Sequence, residues 1–211
     1  MSVGSVSRTL PIPGLAEHGM ALKSLPEAIA VRNHVIRTLE IAETLEDGDA
    51  RREYLTYVFV GAGYAGLEGL AELQDFAADV IDLYPRCGVT GMRWILVEAS
   101  ERVMPEIGAK LADFAVRELR FRGIEIRTRT TLDEVTARSA RLSDGEVVPT
   151  RTLVWTAGVK PHPVSRLEHR PALRPRHSRA GPPRREAPAR RHARRRVLAG
   201  VIRGPRILNC R

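Results

Sequence analysis

Up to about residue 166 the apolar positions recur in two rhythms, one helical and one of short buried runs, and each predicts its own elements. Residues 8–14, "RTLPIPG", read as extended, because each proline restricts the residue before it. Ile29, Val31, Val35, Ile36, Leu39, Ala42 and Leu45 then follow helical spacing. Ser24 precedes them as an N-cap, Glu27 stands three residues on as in a capping box, and Gly48 lies beyond the end. "LTYVFVG" reads as a short buried strand, and "AGLEGLAELQDFAADVIDLYPR" as a long helix ended by Pro85. After a loop through Gly88 and Gly91, "RWILVEA" gives a second strand. "GAKLADFAVRELRFRG" gives a helix stopped by Gly123, and "IEIRTRT" a third strand. Around the turn "SDGE" the pattern alternates in short pieces, as in a small antiparallel element, before the strand "TLVWT". Strand–helix–strand–helix–strand implies an α/β fold with a parallel sheet.

Beyond that point neither rhythm continues. From Ser165 onward there are fifteen Arg, no Lys and two acidic residues, Glu168 and Glu186, for a net charge of +13. Residues 1–164 hold 19 basic and 23 acidic residues, a net charge of −4, so the basic excess of the whole chain belongs to the tail alone. Six prolines between Pro171 and Pro205 and the dense arginine leave too little apolar surface for a packed core, and a disordered tail is expected. No aromatic residue interleaves these arginines, so no specific nucleic-acid partner is expected. Cys87 and Cys210 are isolated, which argues against a disulfide framework, a metal site or a dithiol redox pair. No run of 18 apolar residues is present and no signal peptide is read at the start, so a cytoplasmic location is expected.

The candidate chemistry lies between the first strand and the long helix. Gly61-Ala62-Gly63-Tyr64-Ala65-Gly66 has the spacing G-x-G-x-x-G. The first glycine permits the tight turn, the second lets backbone approach a pyrophosphate, and the third allows close strand–helix packing. The start of the helix that follows offers free N–H groups and a partial positive charge that suit phosphate. Such glycines also occur in ordinary turns; the strand before and the helix after supply the context for a dinucleotide. The fingerprint also asks for an acid at the end of the second strand, and Glu98 in "WILVEAS" stands there. A carboxylate there accepts ribose hydroxyls and repels a 2′-phosphate, favouring NAD(H) over NADP(H); the alternative is a solvated strand-end acid. Glu68, two residues past the last glycine, reads from position alone as a first-turn carboxylate that stabilises the helix dipole by ~0.3–1 kcal/mol.

Four segments, "RTLPIPGLAEHGMALKSLPEAIAVRNHVI", "VGAGYAGLEGLAEL", "VEASERVMPEIG" and "TLVWTAGVKPHPV", together resemble type II NADH dehydrogenases, in that family's order. These are FAD-dependent NADH:quinone oxidoreductases of the pyridine nucleotide-disulfide oxidoreductase superfamily. The resemblance implies that Gly61, Gly63, Tyr64, Ala65, Gly66 and Glu98 hold NADH. It implies that Glu68 is catalytic, beside the nicotinamide where hydride passes to the flavin. It also places Gly158, in the run "TAGVKP", at a cofactor contact where the NAD and FAD domains meet.

The family carries a second G-x-G-x-x-G for FAD before these motifs, then a Gly-Asp motif and a membrane-binding region after them; the 211 residues hold none of these. The chain is therefore expected to correspond to the NADH-binding middle of such an enzyme. It should bind NAD(H) without retaining FAD, and meet a quinone acceptor or the cytoplasmic face of a membrane only with the missing regions. Residues 1–51 are expected to be a remnant of the flavin domain with a linking helix, and 52–164 a Rossmann-like NAD(H)-binding domain. Residues 165–211 have the composition of a GC-rich gene read out of frame. The alternative function is a catalytically inactive nucleotide-binding remnant, or a binding module whose basic arm attracts polyanions.

Overall fold

Period-two alternation along Thr56–Val60 divides its buried side chains between two cores. Tyr57 and Phe59 join one cluster, and Val58 and Val60 the other. This is seen in a computed structural model of the chain, which describes residues 5–161. All of them fall within the unit Met1–His162. The expectations for residues 165–211 lie outside the described residues.

In chain order the elements are β1 (Ser5–Ser7), α1 (Leu15–His18), β2 (Gly19–Ala21), α2 (Leu25–Thr44), α3 (Gly48–Tyr54) and β3 (Thr56–Val60). Next come α4 (Tyr64–Val80), a 3-10 turn (Ile81–Leu83), α5 (Pro85–Thr90), β4 (Arg93–Val97), α6 (Ala109–Phe121) and β5 (Glu125–Arg127). The last are β6 (Leu132–Val135), β7 (Ser139–Leu142), β8 (Val147–Pro149), β9 (Thr152–Trp155) and β10 (Val159–Pro161).

The expected α/β architecture is present. Five strands form a parallel sheet in the order β2-β9-β3-β4-β5. β6, β7 and β8 form the antiparallel element, and β1 pairs with β10. One face of the parallel sheet packs on helices: Val31, Val35 and Leu39 of α2, Leu67, Leu70 and Ala77 of α4, and Ala112 and Leu119 of α6 share a core with Tyr57, Trp94 and Val154. The other face packs on the antiparallel sheet, where Leu132, Val135, Ala140, Leu142 and Val148 meet Val58, Ile95 and Leu153. The chain thus returns from β5 to β9 through a sheet, and the layers are helix, parallel sheet and antiparallel sheet.

Several local expectations are corrected. α2 starts where expected, with the Glu27 carboxylate accepting the Ser24 N–H at 2.7 Å. Gly48 lies beyond the end of α2, as expected, and also opens α3, which the Asp47 carboxylate caps by accepting from the N–H groups of Asp49 and Ala50. Pro85 is the first residue of α5 as well as lying past the end of α4, and Gly88 falls inside α5. A proline is suited to that place because a first-turn residue needs no N–H for the helix. Glu43 then accepts the N–H groups of Arg86 and Cys87, each at 3.1 Å. The segment before residue 52 is built into the same layers, with β2 as an edge strand of the parallel sheet.

His34 ties α2 to the start of β9, its Nε2 lying 2.9 Å from Thr152 Oγ1 and 3.2 Å from the Arg151 carbonyl oxygen. Burial holds its pKa below the ordinary value, helped by the charge of Arg37 and opposed by the bond to Arg151. The unfolded chain therefore binds more protons at His34 than the folded one, and stability rises with pH over that interval. Stability should be lost as pH falls from about 6.5, the unfolded value, toward the depressed folded value. Urea melts at a series of pH values should show a shallower acid limb in His34→Gln than in the unmutated chain. An equally steep limb in both would assign the acid sensitivity elsewhere.

Candidate dinucleotide site

β3 delivers the glycine turn to the point where the strand order reverses, with β4 and β5 on one side and β9 and β2 on the other. Open α/β sheets take their ligands in the crevice beyond the strand ends at such a reversal.

The three glycines are there for different reasons. Gly61 has φ 108°, which side chains rarely adopt, and a Cβ would stand 2.7 Å from the Ala157 nitrogen. At Gly66 a Cβ would stand 1.9 Å from the Gly61 carbonyl oxygen and 2.5 Å from Thr156 Oγ1. Both positions are closed to larger residues by the protein's own packing. Gly63 has φ −74° and ψ −178°, open to any residue, and a Cβ there would meet nothing within 4 Å. It stands at the N-cap of α4 just before the exposed Tyr64 and Ala65, whose N–H groups have no partner within a helix. Room in front of a helix N-terminus, with donors facing it, fits the pyrophosphate of a dinucleotide.

Glu98 follows β4 and touches the loop directly. Its Oε2 accepts the Ala62 N–H at 2.7 Å, and its Oε1 accepts the Ser100 N–H at 2.8 Å. The alternative of a freely solvated strand-end acid is therefore corrected: the carboxylate is half-buried and held by two backbone donors. Each oxygen has a further lone pair with which to accept a hydroxyl.

Glu68 is the fifth residue of α4 and so lies in its second turn. The first-turn dipole reading is corrected on that ground, since the effect fades beyond the first turn. The side chain is half-exposed, one turn along the same face from Tyr64, with no hydrogen-bond or ion-pair partner among the described residues.

Gly158 is exposed with φ 80°. Its carbonyl accepts the Arg8 N–H at 3.2 Å, and the Trp155 indole N–H donates to the Arg8 carbonyl at 2.8 Å, so this glycine anchors the strand entering from β1. The side chain of that run which bonds to the glycine turn is that of Thr156, which sequence reasoning passed over as a site residue. Its hydroxyl lies 2.8 Å from the Gly61 carbonyl oxygen. Ser100 was also missed, because a backbone donor carries no signal in its side-chain type.

Cys87 is buried, and burial with Glu43 beside it pushes its thiol up to about 12. It is not a source of thiolate at neutral pH. Among the described residues no group of His, Cys, Asp and Glu could hold a metal ion, and no helix is long and apolar enough to cross a membrane.

The sequence profile described as pyridine nucleotide-disulphide oxidoreductase matches residues 1–173. The chain belongs to this family. Among its relatives in the family, a probable NADH dehydrogenase of Dictyostelium discoideum is 34% identical over 166 residues, covering 78% of this chain and 37% of the relative. The type II NADH:quinone oxidoreductase of Mycobacterium tuberculosis is 31% identical over 149 residues, covering 68% of this chain and 32% of the relative. The chain spans about a third of the length of these relatives. Both names agree with the resemblance carried by the four sequence segments.

The solved structure of NDH2 from Plasmodium falciparum in complex with NADH matches 76% of this chain and 34% of that one, with a TM-score of 0.71 at 20% identity. A NAD-dependent persulfide reductase from A. fulgidus covers 76% of this chain and 25% of its own, with a TM-score of 0.55 at 23% identity. These are likenesses of fold, and one fold here serves differently named reactions, so the electron acceptor does not follow from architecture.

Proposed function

We propose that the sheet and helices from residue 52 to 161 bind NADH and form the NADH-binding portion of an FAD-dependent NADH:quinone oxidoreductase. The observation that carries this reading is Gly63, a glycine at a helix N-terminus that no protein atom requires. The N–H groups of Tyr64 and Ala65 take the pyrophosphate across the space left at Gly63, while Gly61 and Gly66 keep the turn closed. Glu98 accepts the adenosine ribose hydroxyls. Glu68 is the acid beside the nicotinamide, and the backbone at Gly158 borders the same end of the cofactor. Bound NADH supplies the hydride. The flavin that receives it and the quinone beyond are held by other parts of such an enzyme, and residues 1–51 link this portion to them.

Calorimetric titration of the purified chain tests the reading. NADH should bind more tightly than NADPH. Glu98→Gln should cut that preference by about tenfold, because the charge that repels a 2′-phosphate is gone. A glutamine oxygen can still accept the Ala62 N–H while the Ser100 N–H loses its acceptor, so the variant removes the charge and keeps the bond to the glycine turn. Equal affinity for both nucleotides in the unmutated chain would remove Glu98 from the ribose. Absence of binding to either would end the nucleotide reading.

A further inference from the structure

Two side chains from opposite sides of the strand reversal converge on one peptide unit. The peptide joining Gly61 to Ala62 offers its N–H to Glu98 Oε2 at 2.7 Å and its carbonyl to Thr156 Oγ1 at 2.8 Å. Glu98 follows β4 and Thr156 follows β9, and these strands flank β3 on its two sides. The hydroxyl of Thr156 also lies 3.0 Å from the Val60 carbonyl oxygen, but that carbonyl already accepts the Thr156 N–H at 2.9 Å. The Gly61 carbonyl is the nearer of the two and has no other donor among the described residues, so it depends on this hydroxyl as the Val60 carbonyl does not. The next peptide is held too, with the Ala62 carbonyl accepting the Met104 N–H at 3.0 Å. Protein groups therefore fix the turn up to Gly63.

We propose that Thr156 is a positioning residue which, with Glu98, clamps the Gly61 to Ala62 peptide at both ends and so sets the direction in which Gly63 and the first N–H groups of α4 face a bound nucleotide. A peptide unit is planar, so its carbonyl and N–H turn together. Release of the carbonyl end lets the plane rock and loosens the bond to Glu98 at the other end. The Gly61 carbonyl oxygen also faces Gly66, 1.9 Å from where a Cβ would stand, a contact that at most adds a weak Cα–H···O bond beside the hydroxyl. Glu98 then has two tasks, holding the loop with one lone pair and meeting the ligand with another. The nucleotide half of this inference rests on the NADH-binding reading; the clamp itself does not.

The experiment compares Thr156→Val, which has similar shape and no hydroxyl, with Thr156→Ser, which restores the donor. Three quantities are measured: amide hydrogen exchange at Ala62 without nucleotide, NADH affinity, and melting temperature. In Thr156→Val the exchange at Ala62 should quicken by about fivefold to tenfold, the worth of one hydrogen bond, and NADH binding should weaken by a similar factor. Thr156→Ser should bring both back toward the unmutated values. If the valine variant does not fold, Thr156→Ala gives the same comparison. Unchanged exchange at Ala62, or a rise spread evenly over β3, β4 and β9 with no recovery in the serine variant, overturns the clamp. Normal NADH binding beside unchanged exchange overturns the clamp and leaves the proposed function standing. Faster exchange at Ala62 in a chain that never binds NADH supports the clamp and overturns the function.

Discussion

Gly63→Val should abolish measurable NADH binding while lowering the melting temperature of the chain by no more than about 4 °C. The two halves of this result have separate causes. At φ −74° and ψ −178° the backbone is extended, which valine adopts readily, and the new Cβ meets no protein atom within 4 Å. Glycine is preferred to valine at an N-cap, so the change costs about 1 kcal/mol or less and leaves the fold in place. The valine methyls fill the space in front of the α4 N-terminus, where the pyrophosphate is proposed to sit. Overpacking of about 3 kcal/mol there is a loss of about 100-fold in affinity. Thermal melts and calorimetry on the same preparation provide both readings. Undiminished NADH binding in a stably folded valine variant would detach the glycine turn from the proposed site.

Gly66→Ala should do the reverse and damage the fold itself. The added Cβ would lie 1.9 Å from the Gly61 carbonyl oxygen and 2.5 Å from Thr156 Oγ1, and the first of these is backbone that cannot swing away. Either α4 moves off the strand ends or the turn opens, and the clamped peptide is displaced in both cases. A cost of about 3 kcal/mol is expected, which at about 2–4 °C per kcal/mol for a chain of this size lowers the melting temperature by roughly 6–12 °C. NADH binding should weaken alongside. An unchanged melting temperature would mean that α4 does not approach the turn as closely as described. The contrast between the two variants is the most direct separation of a glycine kept for a ligand from one kept for packing.

The features legible in the sequence were those written in side-chain pattern. Tyr57 to Val60 and Trp94 to Val97 are apolar without interruption, as strands covered on both faces must be, and the glycine spacing that follows the first of them marks the turn. The capping pair Ser24 and Glu27 located the start of α2. Short elements were missed because three or four residues hold no period: β2 and α1 contain too few positions for alternation or helical spacing to register. In the sequence Pro85 signals a stop, although the same missing N–H suits the beginning of the next helix. At the site, Glu98 could be found because strand-end acids have a known place, whereas Thr156 could not. Its partner is a backbone carbonyl 95 residues earlier in the chain, and no local pattern records that meeting.

The place of β9 in the sheet has a consequence for how the molecule comes together. β2 touches the parallel sheet only through β9, with Gly19 opposite Leu153 and Ala21 opposite Trp155. As the chain leaves the ribosome, β3, β4 and β5 can pair with one another before β9 has been made. β2 must wait with its edge unsatisfied through more than a hundred residues of synthesis, a pairing of high contact order and hence a slow one. Until Trp155 emerges, the open side of β3 is also an unpaired edge, apolar from Tyr57 to Val60, which invites association with other chains. The strand of this sheet that is synthesised first is thus the last to find its place.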